Sequence, residues 1–248
     1  MTTRLVVLAY NEEAGIGQSL AAIHGLGLPD LDVIVVDDGS TDRTESIVRQ
    51  MKATVPLELL SHEVNRGVAA AFDTGLRHAA AISKPGDFVI TIEGDGTNSL
   101  QALGPIISLL GEGYDVVCGS RYVPGGGYHG FPLGRRIWSV GANLVMRWYC
   151  GLVPVKDYTL FYRGYRAELL QEAFRRYGRR FIEAQGFFAN IEILVKLSRL
   201  RPLRAAETPV VYAYGAKRSG SKMRVWRNLS EYLRFFVRDS RRPSQPRS

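Results

Sequence analysis

Cysteine is scarce: the 248 residues hold two, Cys118 and Cys150. Two cysteines build no disulfide framework, and they show no metal-ligand spacing, so a reducing cytoplasm is the expected compartment. Long apolar runs are missing too, and none approaches the roughly 18 residues that span a bilayer. The N-terminal stretch MTTRLVVLAYNEE is too short in its apolar part, and wrongly flanked, for a secretory leader. His62, His78 and His129 share no metal-type spacing; a solvated loop accounts for His129 in its glycine-rich setting. No internal repeat is visible, and no G-x-G-x-x-G follows the first apolar run, which argues against a dinucleotide-binding module.

Net basic charge is absent from most of the chain. Ten Lys and Arg residues from Lys217 onward, set against Glu231 and Asp239, account for the whole net charge of +8. A charge confined to one end suits an anionic substrate or surface; a nucleic-acid groove would spread it over the protein, so no nucleic-acid partner is expected.

What is present is an alternation of apolar runs and helical patterns, at a length that suits one sizeable domain. Strands are expected at 4–10, 31–40, 57–61, 87–92 and 115–120. Helices are expected after Asn11 as a cap, from 41 with Asp42 and Glu45 spaced as a capping box, over 65–82 and over 100–110 behind Asn98 and Ser99. Continuous apolar strands alternating with helices predict an α/β fold with a mostly parallel sheet covered on both faces. Ligands collect at the carboxyl ends of such strands, which puts Tyr10, Asp37, Asp38, Glu93, Asp95 and Gly119–Arg121 on one rim. Beyond residue 120 the expectations are a glycine-rich loop (121–136), a helix (137–150), a strand (159–166), a helix (186–200) and a last strand (207–214). Trp138, Trp148 and Tyr149 read as core residues of the 137–150 helix. A basic loop (215–224) precedes an amphipathic stripe over 225–238 and a disordered tail. That stripe packs on the parent domain or, given its arginine-rich flanks with Trp226 and Phe235, lies on an anionic membrane.

The segment VITIEGDGTNSL ends a strand on two carboxylates. Residues i and i+2 of a strand face the same side, so Glu93 and Asp95 converge if the chain stays extended. Gly94 and Gly96 would let a bulky anion approach the backbone. Two hard oxygen donors suit Mg²⁺ or Mn²⁺; the plainer alternative is a turn in which Asp95 and Asn98 cap the next helix. VVDDGSTDRT adds Asp37 and Asp38 to the rim, where a carboxylate accepts hydrogen bonds from a ribose hydroxyl or a base N–H.

AYNEE, VVDDGSTDRT, NRGVAAAFDTGL, EGDG, GSRYVPGGG and DYTLFYRGYR occur in order over about residues 4–225. Together they resemble the family-two glycosyltransferases of GT-A fold, in the dolichyl-phosphate mannosyltransferase-like branch. The resemblance implies a catalytic domain over 1–224, a C-terminal basic helix over 225–239 and a tail over 240–248. It implies a GDP- or UDP-sugar donor, a divalent Mg²⁺ or Mn²⁺, and a polyprenyl or dolichyl phosphate acceptor. The place of action would be the cytoplasm or the inner face of the cell membrane. Ala9, Tyr10, Asn11 and Glu12 would line the base pocket, with Asp37, Asp38, Gly67 and Gly94 also against the donor. Asp95 would be the main metal ligand, with Glu93 beside it where the family usually has Asp. Thr97 stands where this branch often has Gln. Arg121, Arg135 and Ser139 would face acceptor phosphate or donor diphosphate, as would Arg218, Lys222 and Arg224 of the basic loop.

Leu160 and Phe161 replace a small glycine-containing segment of the family and would reshape the sugar or acceptor pocket. The implied reaction is a single in-line displacement with inversion. Were the acceptor a hydroxyl, as on a soluble acceptor or a polysaccharide, a general base would be needed; Asp157 is the first candidate, Glu183 and Glu192 the next. An ionised phosphate needs none. The fused members of the family carry transmembrane helices after this domain, and no such run is present here.

Overall fold

The structure, a computed structural model, describes residues 1–97, 99–130, 133–150 and 155–213. Asn98, the basic loop with Arg218, Lys222 and Arg224, the 225–239 helix and the tail lie outside the described residues, as do the side chains of Arg135, Trp138 and Tyr149.

Among the described residues, nine strands form two sheets. β1 (Thr3–Ala9), β2 (Leu31–Asp37), β3 (Leu57–Ser61), β4 (Phe88–Glu93), β5 (Val116–Ser120), β7 (Arg163–Arg166) and β8 (Ala205–Pro209) make a seven-stranded sheet in the order β3-β2-β1-β4-β7-β5-β8. β6 (Gly127–His129) and β9 (Val211–Ala213) pair in parallel as a separate ribbon. Six of the seven large-sheet strands run the same way; β7 is antiparallel to both β4 and β5. The helices are α1 (Ile16–Gly25), α2 (Thr44–Met51), α3 (Val68–Ile82), α4 (Leu103–Gly111), α5 (Leu133–Cys150), α6 (Ala167–Tyr177) and α7 (Ala189–Ser198).

The continuous apolar strands have the burial they require. Along β1 and β2, Val6, Leu8, Ile34 and Val36 face one side, packed with Phe72 and Leu76 of α3, Leu169 of α6 and Ile191 of α7. Leu5, Val7, Val33 and Val35 face the other, against Ile16 and Leu20 of α1, Val48 of α2 and Ile106 of α4. Each such side chain, taken fully out of water, contributes about 1.5–3 kcal/mol. Both faces are thus apolar, and polarity is left to the strand ends. Register then levels the rim: Ala9 lies opposite Asp37, and Leu8 opposite Glu93.

Several local expectations change. Asn11 does not cap α1, which starts at Ile16 after a turn closed by Gly15 and Ile16 N–H donating to the Glu12 carbonyl. Asn11 instead takes a left-handed φ of 50° and accepts from Thr41 N–H at 2.8 Å. The capping box at α2 does not form: Asp42 accepts from Thr44 N–H, whereas Glu45 turns to Arg49 and Ser61. The strand expected at 159–166 shortens to β7, and the one at 207–214 divides at Val210 into β8 and β9. β6 arises inside the glycine-rich loop because β9 offers it an edge. Helix α6 was not anticipated; its signal is an apolar set at 169, 170, 173, 174 and 177 in AELLQEAFRRY.

Candidate active site

Three groups of side chains meet at the carboxyl ends of the parallel strands. The first closes β1 and β2. Asp37 is buried and accepts a hydrogen bond from the Ser40 hydroxyl, while Ser40 Oγ in turn accepts from Asn11 N–H at 2.9 Å. Burial pushes the Asp37 carboxyl above the usual carboxylate range, against the lowering effect of Ser40. Asp38 accepts from Gly67 N–H at 2.8 Å, Arg66 N–H at 3.0 Å and Asn65 Nδ2 at 3.0 Å, and meets His62 Nδ1 at 2.7 Å. Those four partners match the roughly four lone-pair sites of a carboxylate. Asp38, expected against base or ribose, fixes through these bonds the loop that leads into α3. Gly67 caps that helix with a φ of 92°, and a Cβ there would stand 3.0 Å from the Gln185 carbonyl oxygen. His62, set aside on sequence spacing, completes this brace by reaching Thr74 Oγ1 at 2.9 Å with its other nitrogen. Ala9, Tyr10, Asn11 and Glu12 line the same end, with Glu12 N–H donating to Thr44 Oγ1 at 2.7 Å.

The second group closes β4. The strand ends at Glu93 and the chain turns through Gly94–Gly96, with Gly96 in the left-handed region at φ 73°. Glu93 and Asp95 are therefore brought to the rim by a turn and not by two-residue strand alternation. The reason for Gly94 also changes. Its missing Cβ would lie 2.8 Å from Ile16 Cδ1 and 3.1 Å from the Leu8 carbonyl oxygen, so it permits close packing on β1, not access for an anion. Asp95 is buried, and its Oδ1 accepts from Thr97 N–H at 3.0 Å and Thr97 Oγ1 at 2.6 Å.

Tyr212 of β9 joins this group to the next. Burial raises its phenol well above the ordinary value, and the charges of Glu93 and Asp95 add to that, while Thr97 and Arg121 pull the other way. Its ring centroid lies 6.0 Å from the Arg121 guanidinium carbon.

The third group is built on Arg121, at the end of β5. Its Nε and Nη2 make a two-pronged pair with Asp157 at 2.7 and 2.8 Å, and Nη2 also donates to Thr159 Oγ1 at 2.6 Å and Ser139 Oγ at 3.3 Å. The rings of Tyr128 and Tyr122 stand 5.0 and 5.6 Å from the guanidinium carbon. A hydroxyl chain runs from Tyr128 to Tyr122 at 2.5 Å and on to Ser139 at 2.9 Å. Sequence reasoning missed Tyr122, Tyr128, Tyr212 and Thr159; the cue available was an aromatic-rich loop, YVPGGGYHG, beside an arginine.

Asp157, the first candidate for a general base, braces Arg121 in this structure. It has no exposed surface, and besides Arg121 it accepts from the N–H groups of Thr159 and Leu160 at 3.2 Å. Burial alone would raise its pKa, but the Arg121 charge and these hydrogen bonds outweigh it and hold the carboxyl below the usual range. Glu192 is equally committed, pairing with Lys196 at 2.8 Å and accepting from Glu183 and Ala184 N–H; Glu183 pairs with the same lysine at 2.9 Å. Leu160 and Phe161 are packed into the core. Both are buried, and Phe161 stacks on Phe72 at 5.0 Å and meets Phe187 edge-on at 5.3 Å. Trp148, expected in the core, is 86% exposed, whereas His129 is exposed as expected of a solvated loop.

Among the described residues no group of three or more His, Cys, Asp or Glu side chains is placed to hold a metal. Mg²⁺ characteristically takes only one or two carboxylates and fills its shell with water and substrate phosphate. Glu93 and Asp95 fit an ion of that kind, brought in with a phosphorylated ligand, and do not form a closed cage.

A model of the family "Glycosyl transferase family 2" matches residues 5–174. The polyprenol monophosphomannose synthase of Mycolicibacterium smegmatis is 30% identical over 176 residues, 68% of this chain; the chain spans 63% of that relative's length. The undecaprenyl-phosphate mannosyltransferase of Micrococcus luteus is 28% identical over 86% of this chain and 84% of its own. Among solved structures, the mannosyltransferase of Pyrobaculum calidifontis, in complex with GDP-Man and Mn²⁺, superposes with a TM-score of 0.64 at 22% identity. The match covers 98% of this chain and 65% of that one. The architecture is that of the GT-A glycosyltransferases, as the sequence motifs implied. With more than half its length inside the matched model, the chain belongs to glycosyl transferase family 2.

Proposed function

We propose that the protein transfers a hexose, mannose by likeness to its relatives, from a nucleoside-diphosphate donor to a polyprenyl-type lipid phosphate, with inversion and with a divalent metal. One observation favours a phosphate acceptor: Asp157, Glu183 and Glu192, the carboxylates considered as general bases, are all engaged in ion pairs. A hydroxyl acceptor needs a base within hydrogen-bond reach, and an ionised phosphate does not. The names of the Mycolicibacterium and Micrococcus relatives point the same way.

The donor base and ribose would sit where β1 and β2 end, against Ala9–Glu12 and Asp37, on a floor held by Asp38. When bound on Asp95 and Glu93, Mg²⁺ or Mn²⁺ would neutralise charge on the donor diphosphate. Arg121 supplies fixed positive charge on the other side of Tyr212. Asp157, Thr159 and Ser139 hold its guanidinium in one orientation, so no reorganisation is needed as the leaving diphosphate gains charge. The acceptor phosphate would attack the anomeric carbon in line, opposite the departing diphosphate, which inverts its configuration. Arg135, Arg218, Lys222 and Arg224 join this phosphate-binding set on sequence grounds.

The test is transfer from radiolabelled GDP-mannose and UDP-glucose to undecaprenyl phosphate, with Mn²⁺ or with EDTA. The expected product is organic-extractable, acid-labile and formed only with metal. A label that stays in water-soluble or polysaccharide product, with lipid phosphate untouched, would move the reading to a hydroxyl acceptor.

A further inference from the structure

Helix α5 presents two unlike faces. Inward, Met146 is fully buried, Asn143 is buried and accepts from Tyr158 N–H at 2.7 Å, and Ser139 joins the Arg121 group. Outward, Val140, Leu144, Val145 and Trp148 are 46%, 68%, 48% and 86% exposed. Positions 140, 144 and 148 fall one above another at i, i+4 and i+8, and 145 flanks them. A helix normally turns polar residues to water, so a run of large apolar side chains there marks a contact surface. The stripe is roughly 12 Å long at the rise of an α-helix.

Two further observations say what covers it. The helix carries three arginines and no acidic residue in LGRRIWSVGANLVMRWYC, and Arg147 is exposed beside the stripe. An apolar stripe, an exposed tryptophan and exclusively basic charge are the features of a helix lying in the headgroup layer of an anionic bilayer. The stripe also begins one residue from Ser139 of the same helix, which joins the Arg121 group.

We propose that the outward face of α5 seats the protein on an anionic membrane surface, with Leu144 and Trp148 as its apolar anchors. The biological sense of this contact rests on the lipid-phosphate reading, but the contact itself is measurable without any acceptor. The probe is cosedimentation with vesicles of phosphatidylglycerol and phosphatidylcholine, using wild type and Leu144→Glu/Trp148→Glu. Because both side chains are exposed, the variant keeps its fold, which its thermal midpoint checks. Transfer to a short, water-soluble prenyl phosphate should also persist, since neither residue touches the site.

Vesicle partitioning should fall about tenfold or more in the variant and weaken as phosphatidylglycerol is removed. A single Trp148→Phe change should remove the blue shift of tryptophan emission seen on vesicle addition. Equal partitioning of wild type and variant would overturn the proposal. So would a concentration-dependent dimer in wild type that the double variant abolishes while vesicle binding stays absent in both, which would make the face a self-association surface. Loss of vesicle binding with soluble transfer intact supports the membrane contact even if the natural acceptor proves to be another phosphate.

Discussion

Replacing Asp157 by Asn should cost stability and activity together, and the structure says by how much. Asp157 has no exposed surface, Arg121 is 8% exposed, and the pair is joined by hydrogen bonds of 2.7 and 2.8 Å. Removing one partner of such a buried pair typically costs about 3–5 kcal/mol, because the remaining charge is left without compensation. For a chain of this size that corresponds to a fall of about 6–20 °C in thermal midpoint. The pH dependence carries a sign. The folded carboxyl lies below its ordinary value of 3.8, so its contribution is complete above that pH and is lost as pH falls through the lower, folded value.

The difference between wild type and Asp157→Asn should therefore be widest at neutral pH and narrow below about pH 4. Urea unfolding between pH 3 and 7 measures this. A second variant, Arg121→Met/Asp157→Leu, should regain most of the stability, since an apolar replacement of a buried pair is often neutral or better; its transfer activity should not return. A single Asn variant as stable as wild type at pH 7, or a double variant that recovers activity, would refute the reasoning.

Other predictions follow from the same geometry. Gly94→Ala places a methyl 2.8 Å from Ile16 Cδ1 and should cost about 1–3 kcal/mol by denaturant unfolding, without changing metal affinity directly. Phe161→Ala should cost about 3–5 kcal/mol, as expected for an aromatic lost from a core, and should not relax donor choice as a pocket residue would. Burial pushes the Cys118 thiol up to about 11. It should stay silent to a disulfide reagent at pH 8 in the folded protein and react once guanidinium unfolds the chain.

The rim was legible before the structure because physics concentrates polarity there. Strands β1, β2 and β4 are buried on both faces, so the first carboxylates after each apolar run, Asp37 and Glu93, must fall at its end. The division of labour within the rim was not legible. Asp38 and Asp157 look like ligand-binding groups in sequence, yet each is filled by protein donors that arrive from distant segments, 62–67 in one case and Arg121 in the other. Gly94 looked like a gap for an anion, and only the packing of Ile16 shows otherwise.

The antiparallel placement of β7 between β4 and β5 is also a tertiary choice: Arg163, fully buried, donates through Nη1 to the Asn190 carbonyl at 2.8 Å, a partner that no local pattern announces. Tyr212 belongs to the same class. Its alternating segment reads as a strand, but its position between Asp95 and Arg121 depends on β9 leaving the main sheet to pair with β6.

The central claim is that carboxylates at the end of β4 hold a nucleoside diphosphate through a divalent ion, across Tyr212 from a fixed arginine. Calorimetric titration of GDP and UDP into wild type and Asp95→Asn, with Mn²⁺ and with EDTA, tests it most directly. The account predicts that Mn²⁺ tightens binding of one nucleotide by about tenfold or more in wild type and has little effect in Asp95→Asn. Binding that is equally tight without metal, or a Mn²⁺ dependence that survives in Asp95→Asn, would contradict it.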